Sequence, residues 1–274
     1  MSSLPDPAGL EADAPAYYRR SGPDRFVPTL HAQGAWQPGE QHLAAVSGLV
    51  AAEVARHRPR PELQPTRLGY EVYGVIPAAE TTVTVRTLRP GRTIELVEAV
   101  VEVGGRVVVR AAVWRVLVTD TSEVAGGAPE PLPPPSSLPL VDATRQWPGG
   151  FIASLEIRGA EDAVPGRSRV WLRARPDLVA DEEVDDTTAL MGLVDTANGV
   201  AVRADPRRWM FPNTDLAVHL HRRPTGRWLG LDTTQVIGPA GAGTTGSTLH
   251  DVDGGFGSAA QALTVRRLPP PPDG

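Results

Sequence analysis

Cysteine is absent from the 274 residues, and so is lysine. Without cysteine there is no disulfide scaffold, zinc knuckle, iron–sulfur site or thiol nucleophile. Without lysine there is no Schiff base and no P-loop lysine. All 27 basic residues are therefore arginine, set against 32 carboxylates for a formal net charge of -5. That mild acidity argues against a general nucleic-acid binder, which shows a basic surface. No run approaches the roughly 18 apolar residues of a spanning helix, so no membrane span is expected. The first fifteen residues, Met1–Pro15, are polar and acidic. They lack the basic start and apolar run of a signal peptide, which makes a soluble, cytoplasmic protein the expectation.

Glycine and proline are plentiful, at 28 each, together about a fifth of the chain against about 12% in average usage. Arginine without lysine, beside much alanine, glycine, proline and valine, points to a GC-rich genome. Hydrophobic residues make up 41%, enough for a core. Much of the proline gathers in two places. Gly126–Pro139 reads GGAPEPLPPPSSLP, a polyproline-like linker, and residues 269–274 form a second such segment. The expected organisation is a flexible tail over 1–24, a first block over 25–125, a linker over 126–140, a second block over 141–268, and a tail over 269–274.

Each block reads as one helix with strands. In the first, His42–His57 is an Ala/Val/Leu run without proline, long enough for a buried helix and stopped by Pro59, Pro61 and Pro65. Strand-like runs follow at Arg67–Val75, Thr81–Leu88, Thr93–Val103 and Arg106–Thr119. The stretch from Thr81 to Arg86 alternates with period two, as a half-buried strand does. Pro90-Gly91 and Gly104-Gly105 supply hairpin turns. In the second block, Phe151–Gly159 and Ser168–Ala174 read as strands, and Thr187–Arg203 as a helix capped by Asp185 or Asp186. Strands follow at Asp215–His221, Arg227–Thr234, Thr245–Asp251 and Ser258–Arg267, with a turn at Gly254-Gly255.

The blocks look like copies. Gly48-Leu49-Val50-Ala51 matches Gly192-Leu193-Val194-Asp195, and Pro65 to Pro77 spans the same interval as Pro212 to Pro224. A helix followed by an antiparallel meander, written twice, is the organisational signal. The differences between copies point to chemistry. Ala51 stands opposite Asp195. Six residues past each Gly-Gly turn stand Ala111 and Gln261. Asn213, at the start of a strand, offers a third polar group. A carboxylate can take a proton from water, and an amide can hold that water in one orientation. Such a set suits hydrolysis by a positioned water better than a covalent route. The same residues also fit a solvated helix position, a strand start and an exposed strand position.

In order and spacing, several segments resemble the acyl-coenzyme A thioesterase II family, the double-hotdog thioesterases. They are Gly192–Asp195, Pro212–Arg222, Gly226–Leu229, Gly243–Asp251, Gly254-Gly255 and Ala260-Gln261, with Arg67–Pro77, Leu88–Arg92 and Gly104–Val107 in the first block. The resemblance spans about residues 25 to 268. It implies an α+β fold, a tandem (double) hotdog, each half a central helix wrapped by an antiparallel sheet. It implies hydrolysis of an acyl-CoA or other acyl thioester with no cofactor and no metal, a place in lipid metabolism, and a homo-oligomer, a dimer of such chains. It places the water-orienting residues at Asp195, Asn213 and Gln261. Relatives with threonine at the middle site make Asn213 a departure and Thr214 the substitute. A second departure is His42-Leu43-Ala44, where relatives carry a His-Gly-Gly-type sequence. Helix N-terminal amides would polarise the thioester carbonyl, and arginines would meet the phosphates of coenzyme A.

Other constellations carry less. His219 and His221 share one strand face near Asp215, a spacing open to metal binding but lacking a further ligand cluster. Ser47 and Ser247 have no nucleophile-elbow context. Asp181–Asp186 is an acidic run at a helix start. The alternatives to a thioesterase are a non-catalytic acyl-thioester binding or interaction protein on the same fold, motivated by the departures, and a hydratase on a related hotdog fold, which needs an Asp–His pair in one site.

Overall fold

Alternation of buried and exposed side chains builds one large sheet in this computed structural model, which describes residues 4–159 and 163–269. Most of the expected C-terminal tail lies outside those residues. The first part of the chain forms β1 (Ala16–Arg20), β2 (Arg25–Pro28), α1 (Leu43–Arg56), β3 (Leu63–Val72), β4 (Thr81–Arg89), β5 (Ile94–Val103) and β6 (Arg106–Leu117). The second forms α2 (Gly150–Ala153), β7 (Leu155–Gly159), β8 (Arg167–Ala174), β9 (Asp177–Val179), α3 (Asp186–Met191) and α4 (Ala197–Val200). It continues with β10 (Trp209–Met210), β11 (Asp215–Leu220), β12 (Leu229–Ile237), β13 (Ala242–Asp251), β14 (Gly254–Thr264) and β15 (Arg266–Arg267).

Thirteen strands make the main sheet, in the order β7-β8-β12-β13-β14-β11-β3-β6-β5-β4-β2-β1-β9. The order mirrors itself about the β11–β3 junction. Outward from it run β3, β6, β5, β4, β2, β1 on one side and β11, β14, β13, β12, β8, β7 on the other. At the junction the two strands are antiparallel, with Leu216 opposite Tyr70. The described pairs are antiparallel except β1 with β9, where Ala16 and Tyr18 pair in parallel with Asp177 and Val179.

The main helix of each half packs inside this sheet. In α1 every residue from Leu43 to Val54 is buried, which its alanines and valines permit by leaving little bulk between helix and strands. The counterpart departs from the single helix expected over 187–203. It is α3, a short 3-10 turn at Val194–Thr196, then α4. A contact from the other half falls at the break. Ser47 of α1 donates its hydroxyl to the Met191 carbonyl at 2.8 Å, the acceptor that the Asp195 N–H would use in a continuous helix. There the two helices nearly touch. A Cβ added to Gly48 would lie 2.8 Å from the Gly192 Cα.

Two other stretches differ from expectation. The tail expected over 1–24 contains β1, and Tyr17 and Tyr18 are buried in it. Tyr18 donates to Gln41 Oε1 and the Tyr17 hydroxyl meets that of Ser154. The strand expected over Phe151–Gly159 begins as the helical turn α2, whose first residue, Gly150, lies so close to the Leu30 carbonyl that a Cβ there would sit at 1.8 Å. The proline-rich segment is extended and lies against the second half, with the Trp171 indole donating to Pro133 O at 2.8 Å.

Candidate active site

The break between α3 and α4 leaves Asp195 on the 3-10 turn, buried, at the head of a cavity of about 580 Å³. Three elements bring it partners. Asn213, just before β11, donates Nδ2 to Asp195 Oδ1 at 2.8 Å. Its second amide hydrogen goes to Asp215 O at 2.9 Å, which fixes the amide plane. Gln261, in the middle of β14, donates Nε2 to the same Oδ1 at 2.8 Å and to Asp195 O at 3.3 Å. The structure thus brings Asp195, Asn213 and Gln261 together. Thr214 lines the same cavity but makes no bond to Asp195. Its backbone N–H and its hydroxyl both go to Ala262 O, the hydroxyl at 3.4 Å. At this site the partner of Asp195 is the asparagine and not the neighbouring threonine.

Both amide donors fall on Oδ1, which leaves Oδ2 for other work. Burial pushes the Asp195 carboxyl up to about 6, while the hydrogen bonds from Asn213 and Gln261 pull it back down. Such a carboxylate is a stronger base than a solvated one and is still ionised at neutral pH.

Sequence reasoning marked His42 only as a departure, yet the structure puts it at the site. Its Nδ1 is 3.6 Å from Asp195 Oδ2. The imidazole stacks on Phe151, with ring centroids 4.3 Å apart. It caps α1 by accepting the Ala44 N–H at Nδ1, 3.1 Å away. Burial drives its pKa down to about 4, so the ring is neutral and its contact with Asp195 is no ion pair at pH 7. Glu40 is a second carboxylate on the cavity wall. Its Oε1 accepts the N–H groups of Trp36 and Gln37, and burial outweighs those bonds to raise it to about 7. Neither residue had a signal in one-dimensional spacing, because each reaches Asp195 or its cavity from the opposite half.

The cavity continues from this polar head along an apolar wall. Ile152, Leu155 and Ile157 line it from α2 and β7, Val170 and Leu172 from β8, and Trp36 and Trp147 from the loops. The N-terminal residues of α1 and the loop Tyr73–Ile76 form the other side, and Arg266 stands at the lining as its arginine. A cavity of this kind suits a ligand with an apolar body and a polar end. Among the described residues no cluster of three His, Asp or Glu could hold a metal ion, and no helix is long and apolar enough to cross a membrane. His221 instead turns Nε2 to Gly255 O.

Comparison with known proteins supplies the family. Residues 32–116 match the acyl-CoA thioesterase N-terminal domain and residues 130–265 match the acyl-CoA thioesterase C-terminal domain. A search of curated proteins returned no match. Among solved structures, the chain is similar to a conserved protein of unknown function with hot dog fold from Alicyclobacillus acidocaldarius. That pair has 16% identity and TM-score 0.72, covering 94% of this chain and 98% of that one. It is similar to the tesB protein of Mycobacterium avium subs paratuberculosis, at 17% identity and TM-score 0.67, covering 92% and 96%. It is also similar to the acyl-CoA thioesterase II TesB2 from Mycobacterium marinum, at 16% identity and TM-score 0.64, covering 94% and 97%. These likenesses show the α+β hotdog fold. With both family domains present in order over most of its length, this chain belongs to the acyl-CoA thioesterase family and is a thioester hydrolase.

Proposed function

We propose that the protein is a double-hotdog acyl-CoA thioesterase whose hydrolytic water is activated by Asp195 and oriented with the help of Asn213 and Gln261. The observation that carries this reading is the division of labour on one carboxylate. Oδ1 holds both amide donors, and Oδ2 is left to take a proton. The mirrored strand order supports the tandem fold, and its proposed halves are 25–125 and 141–268, joined by 126–140.

Water attacks the thioester carbonyl carbon as its proton passes to Asp195 Oδ2. The tetrahedral intermediate then collapses, the C–S bond breaks, and the carboxyl returns the proton to the departing thiolate. The products are a free acid and a free thiol. The positive end of α1 faces the cavity and stabilises the developing oxyanion. The Ala44 N–H is not available for that role, since the His42 ring holds it. Thr214 takes no part in this scheme. The acyl chain lies along the β7–β8 wall, and the cytoplasm, with its acyl-CoA pool, is the proposed setting. A dimer of these chains is the proposed assembly.

The test is Asp195→Ala against a panel of straight-chain acyl-CoA esters, read by thiol release. Loss of at least a hundredfold in kcat is expected for removing a general base, and turnover in the wild type should climb with pH through about 6. Wild-type turnover in the variant sinks the assignment. Acyl-CoA binding by calorimetry with no turnover at any chain length would favour the binding-protein reading. One observation favours a second chemistry: Asp195 and His42 form an Asp–His pair in one site. Hydration of an enoyl-CoA, followed by ultraviolet absorbance, tests it.

A further inference from the structure

The mirrored sheet allows the two halves to be compared strand by strand. In the first half, Val85 pairs with Ala99 and Ala99 with Ala111. The matching row in the second half is Gln235 with Thr245 and Thr245 with Gln261. Three apolar side chains in one copy thus stand where three polar ones stand in the other. Ala51 opposite Asp195 extends the same contrast to the helix.

Two members of the polar row have visible duties. Gln261 serves Asp195. Gln235 accepts the Arg203 N–H and donates Nε2 to Asn198 O and Oδ1, so its amide is committed. Thr245 lies between them, only 1% exposed, and its hydroxyl has no partner. Gln261 Oε1, on a residue 2% exposed, has none either. A donor and an acceptor are therefore buried and unpaired on directly opposed residues of adjacent strands, where Cβ atoms are about 5 Å apart. Buried polar atoms in folded proteins nearly always find a partner, and water is the usual one where the protein offers none.

We propose that Thr245 is a positioning residue for Gln261: through one buried water, its hydroxyl holds the Gln261 carbonyl and so keeps the amide nitrogen on Asp195. The inference rests on the catalytic reading of Asp195 above. Its physical need arises within the reaction. An ionised Asp195 selects the amide nitrogen by itself. Once Oδ2 has taken the proton, that selection weakens, and a free amide can turn over and present its oxygen to the acid. A hydroxyl-held carbonyl cannot turn, so the base is regenerated with its donors in place.

Thr245→Val keeps the β-branched shape and deletes the hydroxyl; Thr245→Ser keeps the hydroxyl. The assay uses the straight-chain acyl-CoA that the wild-type protein turns over fastest. Thr245→Val should lower kcat about tenfold, the scale of one hydrogen bond, with KM unchanged. Its acidic limb should move to higher pH, since the Gln261 donor holds the Asp195 carboxyl down; His42 is the titratable side chain facing that carboxyl and is intact in every variant. Thr245→Ser should restore both. A crystal structure should show a water within hydrogen-bond distance of Thr245 Oγ1 and Gln261 Oε1. Wild-type kcat and pH profile in Thr245→Val, with Asp195→Asn inactive, overturns this inference alone, as does a dry site in the crystal. Full turnover in Asp195→Asn overturns the catalytic reading and this inference with it.

Discussion

Asp195 and His42 are buried neighbours whose protonation equilibria are displaced in opposite directions, and their effects on stability oppose each other. The folded-state pKa of Asp195 is raised from 3.8 to about 6. Its contribution to stability is full below pH 4 and is lost as pH climbs to about 6. That of His42 is lowered from 6.5 to about 4. Its contribution is full above pH 6.5 and is lost as pH falls to about 4. Between pH 4 and 6 the two nearly cancel. Asp195→Asn removes one side of the balance. Urea unfolding should find that variant more stable than the wild type at pH 7, by on the order of 2–3 kcal/mol for two pKa units, and equal to it near pH 4. An equal difference at both pH values would contradict the buried, raised carboxyl. The residue proposed as the base is then one that costs the fold stability at neutral pH.

At the scale of elements, the site depends on where a helix stops. The α3–α4 interruption places Asp195, and the contact of Gly48 with Gly192 lets α1 come close enough for Ser47 to reach the Met191 carbonyl beside it. Gly48→Ala puts a methyl 2.8 Å from the Gly192 Cα, backbone that cannot swing aside. The helices must separate, and kcat should fall by tenfold or more with the fold retained by circular dichroism, because misplacement of a reacting group by about 1 Å costs that much or more. Unchanged kcat would show that Asp195 is held by the sheet side alone. This element also shows where sequence reading stops. Strands β4, β5 and β6 were legible because their alternation is local, and the Gly104-Gly105 turn because glycine tolerates the positive φ it needs; the turn expected at Gly254-Gly255 falls instead on Val252-Asp253, with both glycines inside β14. Asp195 and Gln261 were legible because the two similar blocks serve as controls for each other, with alanine at the matching positions. The helix break was not, since the residues packed against it, Ser47 among them, lie some 144 positions away in sequence. His42 and Glu40 were hidden for the same reason, and β1 because its two tyrosines are buried only once β2 and β9 flank them.

At the scale of the molecule, the halves share one sheet through β3 and β11, one helix contact, and the parallel pair β1–β9, which ties the N-terminal strand to the second half. Parting the halves would break backbone pairs of the sheet as well as side-chain packing. Heating should therefore give a single calorimetric transition with van't Hoff and calorimetric enthalpies equal, the signature of one cooperative unit. Two resolved transitions would mean that the shared sheet is weaker than the cores it joins.

The contact between the helices of the two halves has a consequence for how substitutions combine. Ser47 sits in the half that carries alanine at the positions corresponding to Asp195, Thr245 and Gln261, yet that half lends the cavity His42 and the start of α1. Its hydroxyl reaches the Met191 carbonyl, four residues before the other half's buried carboxylate. Changes made near this contact in one half and around Asp195 in the other should therefore not add as independent effects, since each alters the surroundings of the other.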